Sequence, residues 1–188
     1  MTKTKKILFL DTETGGINPK EASILSIGCV VWENGAILDS QEIFIKHDVF
    51  KITPSAIAAN QIDLVEFVKK AVLPEVAVNQ LLLFLNRNFP DFDGNIIVGG
   101  HNTNFDINFL REFLLSQNIK FDSYFSHRFI DTASVLKFLY YAGKLPQDIS
   151  SSDAAFNYFN IEIEKRHSAL GDATGTANLF TKLIELIN

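Results

Sequence analysis

Five side chains stand where the local pattern does not call for them: Asp11, Glu13, Asp106, His167 and Asp172. Four are carboxylates, and each lies in or beside an apolar stretch. Carboxylates crowded into a partly buried pocket take protons back, because desolvation and mutual repulsion both disfavour the ionised form. Divalent cations remove both penalties. An all-oxygen set of Asp11, Glu13, Asp106 and Asp172 suits Mg²⁺ or Mn²⁺ rather than Zn²⁺, which prefers nitrogen and sulfur. Two such ions about 4 Å apart can clamp the attacking and leaving oxygens of a phosphoryl displacement.

The chemistry requires elements that bring these residues together. Residues 7–10 form a continuous apolar run ending in Asp11, the pattern of a strand buried on both faces. Residues two apart on a strand face the same way, so Asp11 and Glu13 share the face of Ile7 and Phe9. The plainer alternative is that the strand stops at Asp11 and both carboxylates cap the following loop. Asp106 falls in the first turn of a helix expected over residues 104–116, on or beside the stripe of Phe105, Phe109, Leu110, Phe113 and Leu114. A dipole role at the helix start also explains that charge. Asp172 lies one turn before Thr176 on a stripe continuing through Phe180, Leu183 and Ile187 in a helix over residues 169–187. His167 is five residues earlier, too far round for the same face. It belongs to the connection before the helix, with Ser168 as N-cap. A lone histidine is otherwise a surface or core residue without a role.

The remaining pattern supplies a frame. Residues 24–32 and 36–45 read as strands joined by the turn Glu33-Asn34-Gly35, hence an antiparallel hairpin. Short helices are expected over 54–59 and 63–71, and a longer one from Pro74 to about residue 88. Residues 96–98 read as a short buried strand closed by Gly99-Gly100, and 127–130 as another. Asp131 caps a helix running to about residue 141, with Gly143 as its stop. Residues 150–153 start a further helix. The order implies an α/β fold: a mixed sheet with helices on both faces.

The 188 residues suit one domain, spanning 1–188. Apolar runs are too short to cross a bilayer, so no membrane association is expected. The start of the chain has no cleavage site and reads as no signal peptide. The single cysteine, Cys29, lies in an apolar run and fits a buried thiol in a reducing cytoplasm. The net charge of −5 argues against gripping long duplex through many phosphates. It leaves room for a site holding a few nucleotides at a strand end, where bound ions supply positive charge.

Three segments resemble a known set of motifs. Asp11-Thr12-Glu13-Thr14-Gly15-Gly16-Ile17 resembles the first exonuclease motif, His101-Asn102-Thr103-Asn104-Phe105-Asp106 the second, and His167-Ser168-Ala169-Leu170-Gly171-Asp172-Ala173 the third. Together they look like the DEDDh branch of the DnaQ-like 3′→5′ exonuclease superfamily. That family includes the proofreading subunit of bacterial DNA polymerase III and ribonuclease T. Ile52-Thr53-Pro54 with Asn60-Gln61-Ile62 also resembles the family's loop after the third strand. The resemblance implies a ribonuclease H-like fold with a five-stranded mixed sheet, order 3-2-1-4-5, strand 2 antiparallel. It implies two divalent ions, Mg²⁺ or Mn²⁺. Asp11 would bridge them, Glu13 and Asp172 would complete one site, and Asp106 would hold an ion directly or through water. His167 would be the general base. Glu13 and the backbone of Thr12 and Thr14 would receive the terminal 3′-hydroxyl, and Ile17 would wedge against the last base. The substrate would be the 3′ end of DNA or RNA, and a polymerase is a possible partner. Many members have threonine where this chain has Gly15, an extra glycine expected to loosen the loop that seats the terminal nucleotide.

Other residues carry two readings each. Asn102 either contacts substrate or bonds within its loop. Phe105 either packs against a base or belongs to the core. Asp131 is a rival carboxylate that helix capping explains. Arg111 and Lys165-Arg166 are candidate phosphate contacts. A catalytically silent binding module of the same fold, and a ribonuclease H that cuts internally, are the competing functions.

Overall fold

The computed structural model describes residues 5–60, 63–91, 94–164 and 166–187. Gln61, Ile62 and Lys165 lie outside the described residues. Among the described residues the strands and α-helices follow in the order β1 (Lys6–Thr14), β2 (Ile24–Glu33), β3 (Ala36–Phe44), α1 (Pro54–Asn60), α2 (Leu64–Lys70), α3 (Pro74–Asn88), β4 (Ile96–Gly100), α4 (Asn104–Ser116), β5 (Phe125–Asp131), α5 (Thr132–Tyr141), α6 (Ser152–Tyr158) and α7 (Ala169–Ile187). The sheet order is β3-β2-β1-β4-β5. β2 runs antiparallel to both neighbours, while β1, β4 and β5 are parallel. The α/β class, the mixed sheet and the strand order are those expected.

The β2–β3 hairpin turns on Asn34 and Gly35, with φ of 52° and 89°. Two consecutive left-handed residues match the twist of the flanking strands, and Asn-Gly adopts that geometry at least cost. β1 is buried on both faces, as its apolar run requires. Leu8 and Leu10 meet α3 and α4 in the larger core, with Leu81, Phe84, Leu85, Phe109 and Leu110. Ile7 and Phe9 face the other way, onto Val30, Trp32 and the small residues Ala173 and Ala177 of α7. A third cluster joins α5, α6 and α7 through Leu136, Leu139, Phe156, Leu179 and Leu183.

α7 approaches the sheet closely because Gly28 of β2 has no side chain. A Cβ there would lie 2.1 Å from the carbonyl oxygen of Ala169 and 2.4 Å from the nitrogen of Leu170. The helix is further held by Phe180, whose ring meets Phe9 and Trp32 at 5.4 and 5.1 Å, and by the bond from Trp32 Nε1 to Thr181 Oγ1 at 2.8 Å.

β1 pairs with β2 through Thr14, so Asp11 and Glu13 share a strand face as expected and the loop-capping alternative falls away. Two expectations need correction. β5 begins at Phe125, two residues before the expected start; His127, Arg128 and Phe129 are exposed on this last-placed strand, which hides the buried alternation. Ile187 is 66% exposed and leaves the expected stripe, because Ile184 takes the sheet-facing place in the final turn.

Candidate active site

Asp11 and Glu13 project from one face of β1, opposite Gly28 and Ser26 of β2. That is the face on which α7 rests, so Asp172 in the first turn of α7 is brought against them. Ligand oxygens of Asp11, Glu13 and Asp172 all lie within 4.8 Å of one another. The intervening residue, Thr12, points to the opposite face, where α4 packs. Asp106 meets it there: Oδ1 accepts the backbone N–H of Thr12 at 2.8 Å and its hydroxyl at 2.7 Å. Asp106 is thus outside the group of three, yet its charge acts directly on Asp11.

The electrostatics are those of acids held together against their preference. Burial, reinforced by Asp106, Asp172 and Glu13, pushes the Asp11 carboxyl well above the usual range. Burial, then Asp172 and Glu42, raises Glu13 to about 7. Asp106 is raised by burial although the Thr12 bonds work the other way. Burial also raises Asp172, opposed by the charges of Arg166 and His167. Such raised values mark a place where positive charge is wanted. The donors are oxygens from three carboxylates in one small volume, which fits a hard divalent cation.

His167 lies one residue before Ser168, whose hydroxyl accepts the Gly171 N–H at 3.2 Å at the start of α7. His167 is exposed and has φ of 56°. The other non-glycine residues described with positive φ are all asparagines, at 34, 102, 118 and 160. Left-handed backbone strains most side chains and is concentrated at functional positions.

The expected substrate contacts divide. Ile17 is 88% exposed beyond the end of β1. Thr14 is buried, and its hydroxyl donates to the carbonyl of Gly16 at 2.8 Å. The backbone N–H of Thr12 donates to Asp106 Oδ1, so of its backbone groups the carbonyl is the one that could take a 3′-hydroxyl. Phe105 is half-buried against Phe109, with ring centroids 5.0 Å apart, a core contact with one open edge. Asn102 is exposed, and its N–H donates to Asp131 Oδ1 at 2.7 Å. Asp131 therefore does more than cap α5: it ties the second motif to β5. His101 sits beside it, with Nδ1 3.0 Å from Thr132 Oγ1, a hydroxyl that itself donates to the Gly100 carbonyl at 3.0 Å.

Two further expectations fail. Gly15 does not loosen the loop. Its N–H donates to Ser23 O and its carbonyl accepts from Thr53 N, both at 2.7 Å, and a Cβ would meet the Lys51 carbonyl oxygen at 2.1 Å. Arg111 is not directed to a phosphate but lies over the Phe121 ring at 4.3 Å and faces Asp122 at 3.6 Å. Sequence reading also missed Glu42, which acts on Glu13 from β3 and whose only signal was an acid in a strand beside Gly28.

The chain is similar to known proteins in sequence and in fold. The chain is 25% identical over 185 residues to a protein named ribonuclease T from Histophilus somni, covering 94% of this chain and 82% of that protein. It is 28% identical over 182 residues to a PolC-type DNA polymerase III from Caldanaerobacter subterraneus subsp. tengcongensis, covering 96% of this chain but 12% of the polymerase. Among solved structures, the nuclease domain of 3′hExo, described as a DEDDh family member bound to rAMP, superposes with a TM-score of 0.77 at 14% identity, covering 98% of this chain and 94% of that one. Escherichia coli exonuclease I in complex with a dT13 oligonucleotide superposes at 0.76 and 15% identity, over 95% of this chain and 40% of that one. The RNase_T family model, described as exonuclease, matches residues 8–180, a span holding all three motifs and the whole carboxylate group, and the chain belongs to that family.

Proposed function

We propose that this chain is a metal-dependent 3′→5′ exonuclease that hydrolyses phosphodiester bonds at the 3′ end of single-stranded or frayed nucleic acid, releasing nucleoside 5′-monophosphates. The observation that carries this reading is the meeting of Asp11, Glu13 and Asp172 oxygens within 4.8 Å, from a strand and a helix distant in sequence. Relatives named ribonuclease T, and solved neighbours described with rAMP and an oligonucleotide, support the substrate class.

Asp11, Glu13 and Asp172 would hold two divalent cations, Mg²⁺ or Mn²⁺, with Asp106 oriented toward them by Thr12. When bound, the ions would supply Lewis acidity to the phosphoryl group. His167, exposed beside Asp172, takes a proton from the attacking water and passes it to solvent. The water oxygen bonds to phosphorus, the bond from phosphorus to the preceding 3′-oxygen breaks, and that oxygen takes a proton from solvent to become the new 3′-hydroxyl of the shortened strand. Ile17 stands exposed at the rim, where a terminal base can rest against it. A cavity of about 340 Å³ beside the loop after β1 has Lys20 and Lys51 in its lining, cations suited to phosphates further along the strand, with His47 and Glu112 beside them. Relatives include both a ribonuclease T, matched over most of its length, and polymerases of which the chain matches about an eighth. A free enzyme and a polymerase-linked domain both fit this site.

Timed digestion of 5′-labelled DNA and RNA oligonucleotides with Mg²⁺, Mn²⁺ or chelator tests the proposal. One-nucleotide ladders that depend on metal and stop at a blocked 3′ end are expected. Internal cutting of the blocked strand, or no cutting with either ion, would overturn it.

A further inference from the structure

Arg166 joins two elements across the site. Its Nη1 donates to Oδ1 of Asp172, and its Nη2 to Oδ1 of Asp153 in the first turn of α6. The guanidinium also lies over the Phe156 ring, 5.0 Å from its centroid. Asp153 and Phe156 are three residues apart on one helix, so they form a cradle with a fixed spacing. The two ion pairs differ in setting. Asp172 has 19% of its side chain exposed and Asp153 has 73%. The bond to Asp172 is therefore the less screened, and it engages one of the three clustered carboxylates. The charge of Arg166 also acts on Asp11 and Glu13.

We propose that Arg166 is a resident counter-cation that competes with a divalent metal for Asp172, stabilising the metal-free site and lowering its affinity for the ion. This rests on the reading of the clustered carboxylates as metal ligands. A guanidinium bonded to Oδ1 of Asp172 draws charge from that carboxylate and repels a divalent ion held by it, so each weakens the other's hold. Without the ion, Arg166 offsets part of the repulsion among Asp11, Glu13 and Asp172. When the ion takes Asp172, Arg166 keeps its hold on Asp153 and Phe156, so the exchange gives up one ion pair without releasing the side chain from α6. Arg166 acts here as a positioning residue, through Asp172 and next to His167.

The test uses the whole chain without nucleic acid. Mn²⁺ binding is measured by calorimetry for wild type, Arg166→Gln and Arg166→Lys, and thermal unfolding is followed in chelator and in saturating Mn²⁺. Arg166→Gln is expected to bind Mn²⁺ roughly tenfold more tightly, and to show a lower Tm in chelator that approaches wild type when Mn²⁺ saturates. Arg166→Lys, which keeps the charge, is expected to stay near wild type in both. Equal or weaker Mn²⁺ binding by folded Arg166→Gln overturns the proposal. A mere strut between α6 and α7 would leave affinity unchanged and lower Tm equally with and without the ion. Should Arg166→Gln fail to fold, Arg166→Met decides, since it keeps an apolar stem against Phe156 and removes the charge: tighter Mn²⁺ binding is expected, and unchanged or weaker binding overturns the proposal. A wild-type chain that binds no Mn²⁺ removes the metal-dependent function itself, an outcome distinct from unchanged affinity in the variant.

Discussion

Thr12 donates two hydrogen bonds, from its backbone N–H and its hydroxyl, to a single oxygen of Asp106. The pair lies on the side of β1 facing away from Asp11 and Glu13, so a helix on one face of the sheet orients an acid toward a cluster on the other. Thr12→Val keeps the branched shape and removes the hydroxyl bond alone. Loss of a hydrogen bond to a buried charged group should cost about 1.5–3 kcal/mol. Urea unfolding should show that loss, and turnover should fall roughly tenfold as Asp106 loses half of its anchor. Unchanged stability would mean that the hydroxyl bond is not formed in solution.

Glu13→Gln should separate stability from activity. Burial and the neighbouring Asp172 make the Glu13 charge costly in the folded chain without metal. Removing it should raise the Tm in chelator at about pH 8, while exonuclease turnover falls by roughly 10²-fold or more because an ion ligand is gone. A variant less stable than wild type under those conditions would contradict the crowding of acids.

Stability of the metal-free chain should fall as pH rises. Glu13 keeps its proton to about 7 in the fold, against an ordinary value of 4.5, and burial shifts Asp11, Asp106 and Asp172 in the same direction. A group that binds its proton more tightly when folded favours the fold fully below its unfolded value and loses that contribution as pH passes its folded one. In chelator, Tm should therefore decline between about pH 4.5 and 7, the interval set by Glu13. Mn²⁺ at the upper end should restore it. A Tm that climbs through this interval in chelator would count against the prediction.

His167→Asn tests the base without disturbing the loop. Asparagine accepts left-handed backbone readily, so the φ of 56° is retained at little cost. Turnover should drop roughly 10²-fold while Mn²⁺ affinity and the circular dichroism spectrum stay unchanged. Near-wild-type turnover would remove His167 from the reaction.

Some of this molecule was legible in the order of its residues. The helices beginning at Pro74, Asn104 and Ala169 follow from apolar spacing and capping chemistry, and the hairpin from Asn34-Gly35. Asp11, Glu13, Asp106 and Asp172 stood out because each placed a charge where the pattern called for burial. Other relationships leave no such mark. Asp131 had a sufficient local role as a helix cap, which concealed its bond to Asn102. Arg166 looked like any solvated cation, because its partners Asp153 and Asp172 are supplied by helices either side of it. Gly15 and Gly28 are defined by what crowds against them, Lys51 in one case and Ala169 in the other, and a glycine in a sequence does not state what approaches it.

The bare backbone at Gly28 has a consequence for how this protein fails when warmed. Asp172 belongs to the opening turn of its helix, and that turn meets the strand by direct backbone contact, with only Leu170 and the small Ala173 packed beside it. Helix termini are the first segments to open locally. Loss of the proposed activity should then precede melting of the sheet: a brief excursion of one turn withdraws a carboxylate from the cluster while Phe9, Trp32 and Phe180 still hold the rest of the helix in place.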